Sequence, residues 1–525
     1  MKVEVPELQT DLTQDAVRSV TVFTCRDLLL YSICSGLRLA ALCWFLIYWS
    51  TPVRWWRSEK LALLCASVLL LIALAGNHLR WASLAFMKRP IPMTARHEHR
   101  VAVVTTCVPD LETTEMLTAT LKALVSLDCP HDTWLLDEGD SALMRDACRS
   151  LGVLHFTRRG LPQYQTEGGQ FAAATKHGNY NAWLNEIGFR NYDILIAFDP
   201  DHIPASDYAS SVLGFFEDPH IAFVQVPQVY RNQSASLVAR GAAEETYGYY
   251  SATEMSSHGL GETVLVGCHS AQRLSALQPF GGFPDHPAED LLQTICYRSE
   301  GWRGVYLPQV LATGLAPEGW SEYLTQQVRW ARSVFDIKVR HILPRQTSLS
   351  WAALTELLQG FGYLQDALIA AGVLVLLFPL LTVGIGLKTF QHLFSVPFAV
   401  LLATMFVTDF FRQRFYLLPK VERGIHWRAG VLRLAKWPFL WKGFWLAVSE
   451  KRFPYDVTPK VRSRPVKLRL LLPHGTVAAA IGVAWAVGVM SEKTHDTALH
   501  MLAAGIMGVS LGLILLETAS GHGID

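Results

Sequence analysis

Two aspartates one residue apart follow the most apolar strand pattern in the middle of the chain. Residues 192–198 are predicted as a strand, and Asp199 and Asp201 come directly after it, separated by Pro200. The carboxyl end of a parallel strand opens into the ligand crevice of an α/β sheet. Two carboxylates there can face one divalent cation that takes its other ligands from water and substrate phosphates. A solvated acidic turn shaped by Pro200 is the alternative.

Two other segments could contact a nucleotide. Residues 137–140, Asp-Glu-Gly-Asp, follow an earlier predicted strand, although a tight bend at Gly139 explains them equally well. In residues 176–181, Lys-His-Gly-Asn-Tyr-Asn, Lys176 could hold a phosphate and Asn179 a sugar or base. A glycine-containing loop that enters a helix needs no ligand, so both readings stay open.

A third carboxylate could act as a base. Residues 288–290, Ala-Glu-Asp, follow a glycine-containing loop at 281–287 and open an apolar-patterned helix at 291–297. A carboxylate at a helix start is often a cap or a dipole partner, and the sequence alone favours that role. The alternative is that Asp290 takes a proton from a hydroxyl nucleophile.

A cation and an indole share one face of a predicted helix. In residues 326–330, Gln-Gln-Val-Arg-Trp, the side chains of Gln326, Arg329 and Trp330 are three and four residues apart. A guanidinium suits a diphosphate, and a flat ring suits a sugar. Core packing of Trp330 and a surface ion pair of Arg329 are the alternatives.

These side chains need a sheet to bring them together. Strands are predicted at 101–106, 133–136, 192–198 and 221–226, with helices near 113–127 and 141–150. The alternation of strand and helix predicts a mostly parallel sheet with helices on both faces. We expect one soluble domain at 95–345.

The composition indicates a membrane protein. Of 525 residues, 50% are apolar and only 17% are charged, against about 25% charged in typical soluble domains. Six stretches are long and apolar enough to span a bilayer: about 28–49, 61–86, 365–387, 391–411, 470–490 and 498–516. With 46 Lys+Arg against 45 Asp+Glu, a uniformly basic nucleic-acid binder is excluded. The nine cysteines show no paired spacing and are predicted to be reduced thiols.

Basic residues predict the orientation. Residues 412–469 hold fifteen Lys and Arg but three Asp and Glu, which predicts a cytoplasmic loop. An even number of spans then places both termini and the middle region on the cytoplasmic side. The mixture of Trp, Lys and Arg at 420–449 is predicted to lie along the headgroup layer, with Pro438 interrupting any single helix.

Six strings in order resemble a known family: Asp137-Glu-Gly, Lys176-x-Gly-Asn-x-Asn181, Phe198-Asp-Pro-Asp-His-Ile-Pro204, Val224-Gln-Val-Pro-Gln228, Ala288-Glu-Asp290 and Gln326-x-x-Arg-Trp330. With Tyr455-Asp-Val-Thr-Pro-Lys460, which is similar to a gating loop, they resemble the processive family 2 glycosyltransferases of the cellulose synthase type over about 95–465. The resemblance implies an α/β GT-A-like glycosyltransferase domain inserted between transmembrane α-helices, about six spans plus interfacial helices.

The resemblance also implies a domain plan for an integral, multi-pass protein of the plasma (inner) membrane. The plan is a cytoplasmic tail at 1–27, two transmembrane helices at 28–90, a cytoplasmic GT-A-like catalytic domain at 95–345, interfacial helices, four transmembrane helices and a gating loop (about 451–464) within 346–516, and a short tail at 517–525.

The resemblance assigns a role to each matching residue. Asp290 would be the catalytic base, and Asp201 would bind Mg²⁺ or Mn²⁺. The nucleotide and diphosphate would be held by Asp137, Lys176, Asp199, Arg329, Thr458 and Lys460. The acceptor side would comprise Gly267, Cys268, Gln326 and Trp330.

The chain departs from the family pattern at a few positions. Glu138 replaces Asp, Ala288 replaces Thr, and Tyr455 replaces Phe. Residues 106–112 also lack the usual Pro-Thr-Tyr-Asn-Glu string, which leaves the nucleotide open.

The resemblance implies a membrane-embedded processive inverting glycosyltransferase that polymerises a β-glucan from UDP-glucose and translocates it. Its partners would be a nucleotide sugar donor, the growing polysaccharide and membrane lipids, with no nucleic acid. UDP-N-acetylglucosamine and GDP-mannose are alternative donors. The alternative functions are transfer of a single sugar to a lipid carrier, and a non-catalytic subunit for polysaccharide export. Because no cyclic di-GMP domain or Arg-x-x-x-Arg string follows the gating loop, we expect no direct response to that nucleotide.

Overall fold

The computed structural model describes residues 16–51, 59–108, 112–342, 360–449, 470, 472–491 and 496–520. Its strands are β1 Ser19–Thr21, β2 Lys88–Pro90, β3 Val101–Cys107, β4 Asp132–Asp137, β5 Leu154–Phe156, β6 Ile194–Phe198, β7 Ile203–Pro204, β8 Ile221–Gln225, β9 Val229–Tyr230, β10 His269–Arg273, β11 Arg303–Tyr306 and β12 Ala312–Gly314. Its helices are α1 Cys25–Trp49, α2 Lys60–Ser83, α3 Thr114–Val125, α4 Ala142–Leu151, α5 Lys176–Trp183, α6 Phe189–Asn191, α7 Tyr208–Leu213, α8 Leu237–Gly248, α9 Glu254–Gly259, α10 Leu274–Leu277, α11 Glu289–Ser299, α12 Trp320–Ile337, α13 Phe361–Val383, α14 Leu387–Leu393, α15 Val396–Arg412, α16 Pro419–Glu422, α17 Trp427–Val448, α18 Leu472–Met490 and α19 Thr497–Ser520.

The chain folds as two compact units. The first, called here the globular unit, comprises Met1–Val22, Phe86–Val229 and Glu254–Gly314. The second, called here the helical unit, comprises Phe23–Ala85, Tyr230–Thr253 and Leu315–Asp525. Most described residues of the predicted domain at 95–345 lie in the globular unit, whereas Tyr230–Thr253 and the residues from Leu315 onward belong to the helical unit.

A seven-stranded sheet forms the centre of the globular unit, in the order β11, β8, β10, β6, β3, β4, β5. Strand β10 runs antiparallel to both neighbours, whereas the other pairs are parallel. The prediction of a mostly parallel sheet is confirmed, but β10 was missed because His269–Arg273 contains few residues with high β-propensity. In register, Cys107 lies opposite Asp137 and Phe198 opposite Thr105, so β4, β3 and β6 end at the same edge.

The two faces of this sheet bury separate apolar clusters because successive side chains of a strand point to opposite sides. Val103 packs in one cluster with Leu121 of α3, whereas Val104 packs in the other with Trp183 of α5. Strand β6 is buried along its whole length, as expected for a strand covered on both faces. Helices packed on both faces of the sheet therefore hold the carboxyl end of β6 in place.

The helical unit accounts for the membrane pattern of the sequence. Among the described residues, six helices are long and apolar enough to cross a membrane: Cys25–Trp49, Lys60–Phe86, Gly362–Val383, Val396–Phe415, Leu472–Met490 and Thr497–Leu516. They match the six predicted spans to within a few residues. The prediction of about six spans around an α/β domain is confirmed.

The prediction that Pro438 interrupts any helix at 420–449 was wrong. Helix α17 runs continuously through Pro438 from Trp427 to Val448. A proline inside a helix removes one backbone hydrogen bond and costs about 3 kcal/mol. Apolar residues on both sides of it are buried, Leu432 in one cluster with residues of α8 and Leu440 in another with residues of α12. This burial on both sides of the proline offsets the lost bond.

Candidate active site

The turn after β6 is held from two sides. The backbone N–H of Asp199 donates to the carbonyl of Cys268 at 2.8 Å, and the hydroxyl of Thr120 donates to the carbonyl of Pro200 at 2.7 Å. The Asp199 side chain is 30% exposed, whereas that of Asp201 is 1% exposed. The two carboxylates of this motif therefore differ in access, and only Asp199 faces open space.

Lys176 lies at the first position of α5, where Thr175 caps the helix by accepting from the backbone N–H of Gly178. Its ammonium donates to Asp199 Oδ1 at 2.7 Å and to the carbonyl of Gly267 at 2.8 Å. Glu289 Oε1 is 3.6 Å away. A cation at the end of β6 therefore neutralises part of the charge of the surrounding carboxylates.

Asp290 lies near the start of α11, and its carboxylate reaches beyond that helix. Oδ2 accepts from the backbone N–H of Gly267 at 2.6 Å, and Oδ1 accepts from the backbone N–H of Leu291 at 2.8 Å. Burial, followed by the neighbouring Glu289, raises the pKa of Asp290 to about 6, against the opposing effect of the two N–H donors and Lys176. A carboxylate with this pKa is ionised at neutral pH and is a stronger base than an ordinary aspartate.

One peptide segment connects these groups. The N–H of Gly267 meets Asp290, and its carbonyl meets Lys176. A Cβ added at Gly267 would lie 3.1 Å from Asp290 Oδ2, so glycine permits the close approach. The next residue, Cys268, is buried, and burial raises the pKa of its thiol well above the usual range. Lys176, Asp199, Gly267 and Asp290, all predicted site residues, therefore lie together.

The residues present fit a divalent cation. Ligand atoms of Asp199, Asp201 and His202 lie within 4.8 Å of one another. His202 is 2% exposed, and neither ring nitrogen forms a hydrogen bond, although Nδ1 is 3.4 Å from Asp201 Oδ1. Buried polar atoms normally have a partner, and a carboxylate with an imidazole suits Mn²⁺ as well as harder ions. Because the ring nitrogens of His202 form no hydrogen bond and lie beside the Asp201 carboxylate, Asp201 and His202 are the candidates for metal ligands, with Asp199 near them.

His202 was missed as a candidate ligand, although it directly follows Asp201 in the sequence. It also belongs to a second buried group with Cys268 and His269, whose ligand atoms again lie within 4.8 Å of one another. Glu289 was missed too, because the sequence analysis singled out only its neighbour Asp290.

Asp137 ends β4, but its carboxylate is fully buried. It accepts from the backbone N–H groups of Gly139 at 2.9 Å and Ser141 at 2.7 Å, and lies 3.2 Å from His155 Nε2. The left-handed residue of this turn is Asp140, with φ of 55°, and not Gly139. Aspartate tolerates that conformation better than most residues. Asp137 here stabilises its own turn.

The two asparagines after Lys176 hold neighbouring backbone. Asn179 donates to the carbonyl of Leu136 at 3.1 Å, immediately before Asp137. Asn181 donates to the carbonyl of Phe283 and accepts from its N–H, which anchors the loop that leads to α11. The helix that presents Lys176 thus also positions the segments that carry Asp137 and Asp290.

Gln326, Arg329 and Trp330 lie on α12 of the helical unit, where all three are partly exposed. The buried face of the same helix carries Gln327, which accepts from the ammonium of Lys436 at 3.2 Å. Thr458 and Lys460 lie outside the described residues.

Comparisons with known proteins find a family model and relatives that match part of the chain. Residues 194–411 match the family model described as "Glycosyl transferase family group 2". The cellulose synthase catalytic subunit (UDP-forming) of Xanthomonas axonopodis pv. citri (strain 306) is 26% identical over 259 residues, which cover 48% of this chain and 34% of the relative. Cellulose synthase 1 of Komagataeibacter xylinus is 30% identical over 171 residues, 31% of this chain and 11% of the relative. The match thus spans about a third or less of these relatives' own length.

Among solved structures, a mannosyltransferase from Pyrobaculum calidifontis in complex with GDP-Man and Mn²⁺ is similar with a TM-score of 0.47 and 16% identity. The similarity covers 74% of this chain and 99% of that protein. The family match and the sheet agree with the strings quoted above. Over residues 194–411 the chain therefore resembles the family 2 glycosyltransferases, it is similar in sequence to cellulose synthases over about half of its length, and its described residues include six candidate membrane spans.

Proposed function

We propose that the chain is a membrane-embedded, processive, inverting glycosyltransferase that lengthens a β-glucan with glucose from UDP-glucose. Its family and its similarity to cellulose synthases support transfer from a nucleotide sugar. The observation that carries the proposal is the position of Asp290. This carboxylate of raised pKa accepts from the N–H of Gly267, and the carbonyl of the same Gly267 accepts from Lys176. In a displacement reaction, the base can take the proton of the attacking hydroxyl and the cation can stabilise the leaving diphosphate.

Asp290 acts as the general base. It takes the proton from an acceptor hydroxyl while that oxygen forms a bond to the anomeric carbon of the donor. The bond from this carbon to the donor's phosphate oxygen breaks, and its electron pair leaves with the nucleoside diphosphate. A single displacement inverts the anomeric carbon, so an α-linked donor gives a β-linked product.

The cationic side of the site acts on the leaving diphosphate. Lys176, oriented by its 2.7 Å ion pair with Asp199, stabilises the negative charge that develops there. When bound, Mg²⁺ or Mn²⁺ at Asp201 and His202 would neutralise more of that charge. The imidazole would favour Mn²⁺ over Mg²⁺.

The other site residues keep the roles that the resemblance implies. Arg329 would hold the diphosphate, and Gln326 and Trp330 the acceptor sugar. Gly267 and Cys268 would contribute backbone to the acceptor side, since the thiol is buried. Because the Asp137 carboxylate is buried, we assign it to the nucleotide through the backbone of its turn. Thr458 and Lys460 would close over the nucleotide.

The helical unit would lie in the plasma membrane, with the globular unit on the cytoplasmic side and the spans conducting the polymer. The excess of Lys and Arg at 412–469 supports this orientation. Protease should cleave the globular unit in inside-out vesicles and leave it intact in sealed right-side-out vesicles. The reverse pattern would refute the orientation.

Product analysis tests the function. Membranes containing the protein should incorporate label from UDP-glucose into a long product that β-glucanases digest, and chelation of divalent ions should stop incorporation. UDP-N-acetylglucosamine and GDP-mannose serve as competing donors. A single labelled sugar in the lipid extract would contradict polymerisation, and absence of nucleotide release from every donor would contradict catalysis.

A further inference from the structure

A guanidinium that takes no part in the proposed mechanism lies behind the donor-side segments. Arg158 is completely buried. Its Nε and Nη2 donate to the two carboxylate oxygens of Glu138 at 2.8 and 2.7 Å. It also donates to the carbonyls of Tyr164 at 3.0 Å, Phe171 at 3.2 Å and Thr175 at 3.4 Å. One side chain thus holds the end of β4 and the whole connection to α5.

Glu138 completes this connection from the other side. Its Oε1 also accepts from the backbone N–H of Ala174 at 3.1 Å. Ala174 has a φ of 55°, a left-handed conformation that costs an alanine about 1–2 kcal/mol. Alanine has no polar side chain to compensate, so its surroundings must impose that conformation.

The two left-handed residues other than glycine among the described residues are Ala174 and Asp140. They lie in the two segments that the Arg158–Glu138 pair joins, the turn after β4 and the connection to α5. Backbone strain is therefore concentrated where the chain approaches the site.

The Arg158–Glu138 pair is linked to Lys176 in two ways. Ala174 precedes Thr175, which caps α5, and Lys176 is the first residue of that helix. The helix also packs directly against the guanidinium, because a Cβ added at Gly178 would lie 2.7 Å from Arg158 Nη1. The position of the Lys176 ammonium beside Asp199 therefore depends on Arg158 and Glu138.

We propose that Arg158 and Glu138 are positioning residues for donor binding: their buried ion pair holds the 137–141 turn and the 158–175 segment together so that Lys176 meets the donor's diphosphate. The inference rests on the proposed function of Lys176. Glutamate suits position 138 because its carboxylate reaches Arg158 and the Ala174 N–H at once.

The test is UDP binding by the full-length protein in detergent, measured by calorimetry, together with donor kinetics. Glu138→Gln keeps the shape of the side chain but leaves Arg158 without a counter-charge. We expect UDP affinity to fall at least about tenfold and the donor KM to rise by a similar factor, while kcat at saturating donor changes less than about threefold. Equal UDP affinity in folded Glu138→Gln would overturn the proposal, as would a loss confined to kcat.

Two further variants keep the test decisive. Glu138→Asp keeps the charge and shortens the reach, so it should fold even if Glu138→Gln does not, and should lose UDP affinity severalfold. Unchanged UDP affinity in folded Glu138→Asp would count against the proposal. Asp146→Asn removes a carboxylate from an exposed pair with Arg149, whose side chains are 72% and 79% exposed, and should change nothing. If the unsubstituted protein binds no nucleotide, the proposed function fails first and independently.

Discussion

The globular and helical units each contain a lysine whose ammonium donates to a carboxylate at 2.7 Å. In the globular unit Lys176 meets Asp199, and their side chains are 17% and 30% exposed. In the helical unit Lys436 meets Glu245, with exposures of 8% and 12%, and also donates to Gln327. The first pair lies at a strand end and a helix start, whereas the second crosses between α17, α8 and α12. Identical distances thus occur in an open site and in an enclosed packing interface.

The difference follows from what surrounds each pair. Strand ends converge on the edge of a sheet, where polar groups stay accessible to a ligand. Helices that pack along their length enclose a charge, so it must be fully paired within the protein. We therefore expect substitutions in the globular unit to change turnover, and those at the enclosed pair to change stability.

The largest expected effect is at Asp290. Asp290→Asn should lower the rate of UDP release with acceptor about a thousandfold, because the amide cannot take the proton. The variant should still fold, because the amide oxygen keeps one of the two backbone hydrogen bonds, and rates are normalised to folded protein. Normal polymerisation by this variant would remove the proposed base.

The two lysines test the comparison directly. Lys176→Met should lower the rate about a hundredfold with little change in stability. Lys436→Met should lower the free energy of unfolding by about 3 kcal/mol, because it leaves the buried Glu245 without a counter-charge and only the hydroxyl of Tyr323 still donates to it, at 2.6 Å. Denaturation monitored by fluorescence, with rates normalised to folded protein, separates the two.

A matched control for the second substitution is Lys442→Met on the same helix. Lys442 is exposed, and its loss should shift stability by less than about 0.5 kcal/mol. Equal destabilisation by both substitutions on α17 would contradict the role of the enclosed pair.

The pH profile should show a smaller effect. The pKa of Asp290 is raised to about 6, and the base acts only when deprotonated. Transfer should therefore fall about tenfold for each pH unit below 6 and level off above it. A rate that stays constant down to pH 4.5 would contradict the assignment, since an ordinary aspartate titrates lower.

The smallest expected effect concerns strain. In the described helical unit positive φ values occur only at glycines, whereas the globular unit contains Asp140 and Ala174. Ala174→Gly should raise the free energy of unfolding by up to about 1 kcal/mol, because glycine adopts this conformation without cost to a side chain. Destabilisation would show that Ala174 is not strained.

Several features could be predicted from local sequence. The six spans follow from runs of apolar residues, and strands such as β3 and β6 from short β-branched runs. Lys176, Asp199 and Asp290 were proposed as site residues from their type and order along the chain, and the structure brings them close together. Each of these signals lies within a few neighbouring residues, where sequence patterns are most informative.

Other features depended on distant contacts. Strand β10 is polar in sequence and forms because β6 and β8 pair with it on both sides. Helix α17 continues through Pro438 because α8 and α12 bury its apolar residues. Neither effect is visible in the residues that surround the element in the chain.

By itself, the sequence determined where apolar segments and chemically able side chains lie, because those depend on residue type and spacing. Only the tertiary structure decided what each carboxylate binds. The Asp137 carboxylate accepts hydrogen bonds within its own turn, and that of Asp199 pairs with Lys176. Burial raises the pKa of Asp290 to about 6. Availability and pKa depend on burial and on donors far along the chain, such as Gly267, which lies 23 residues from Asp290.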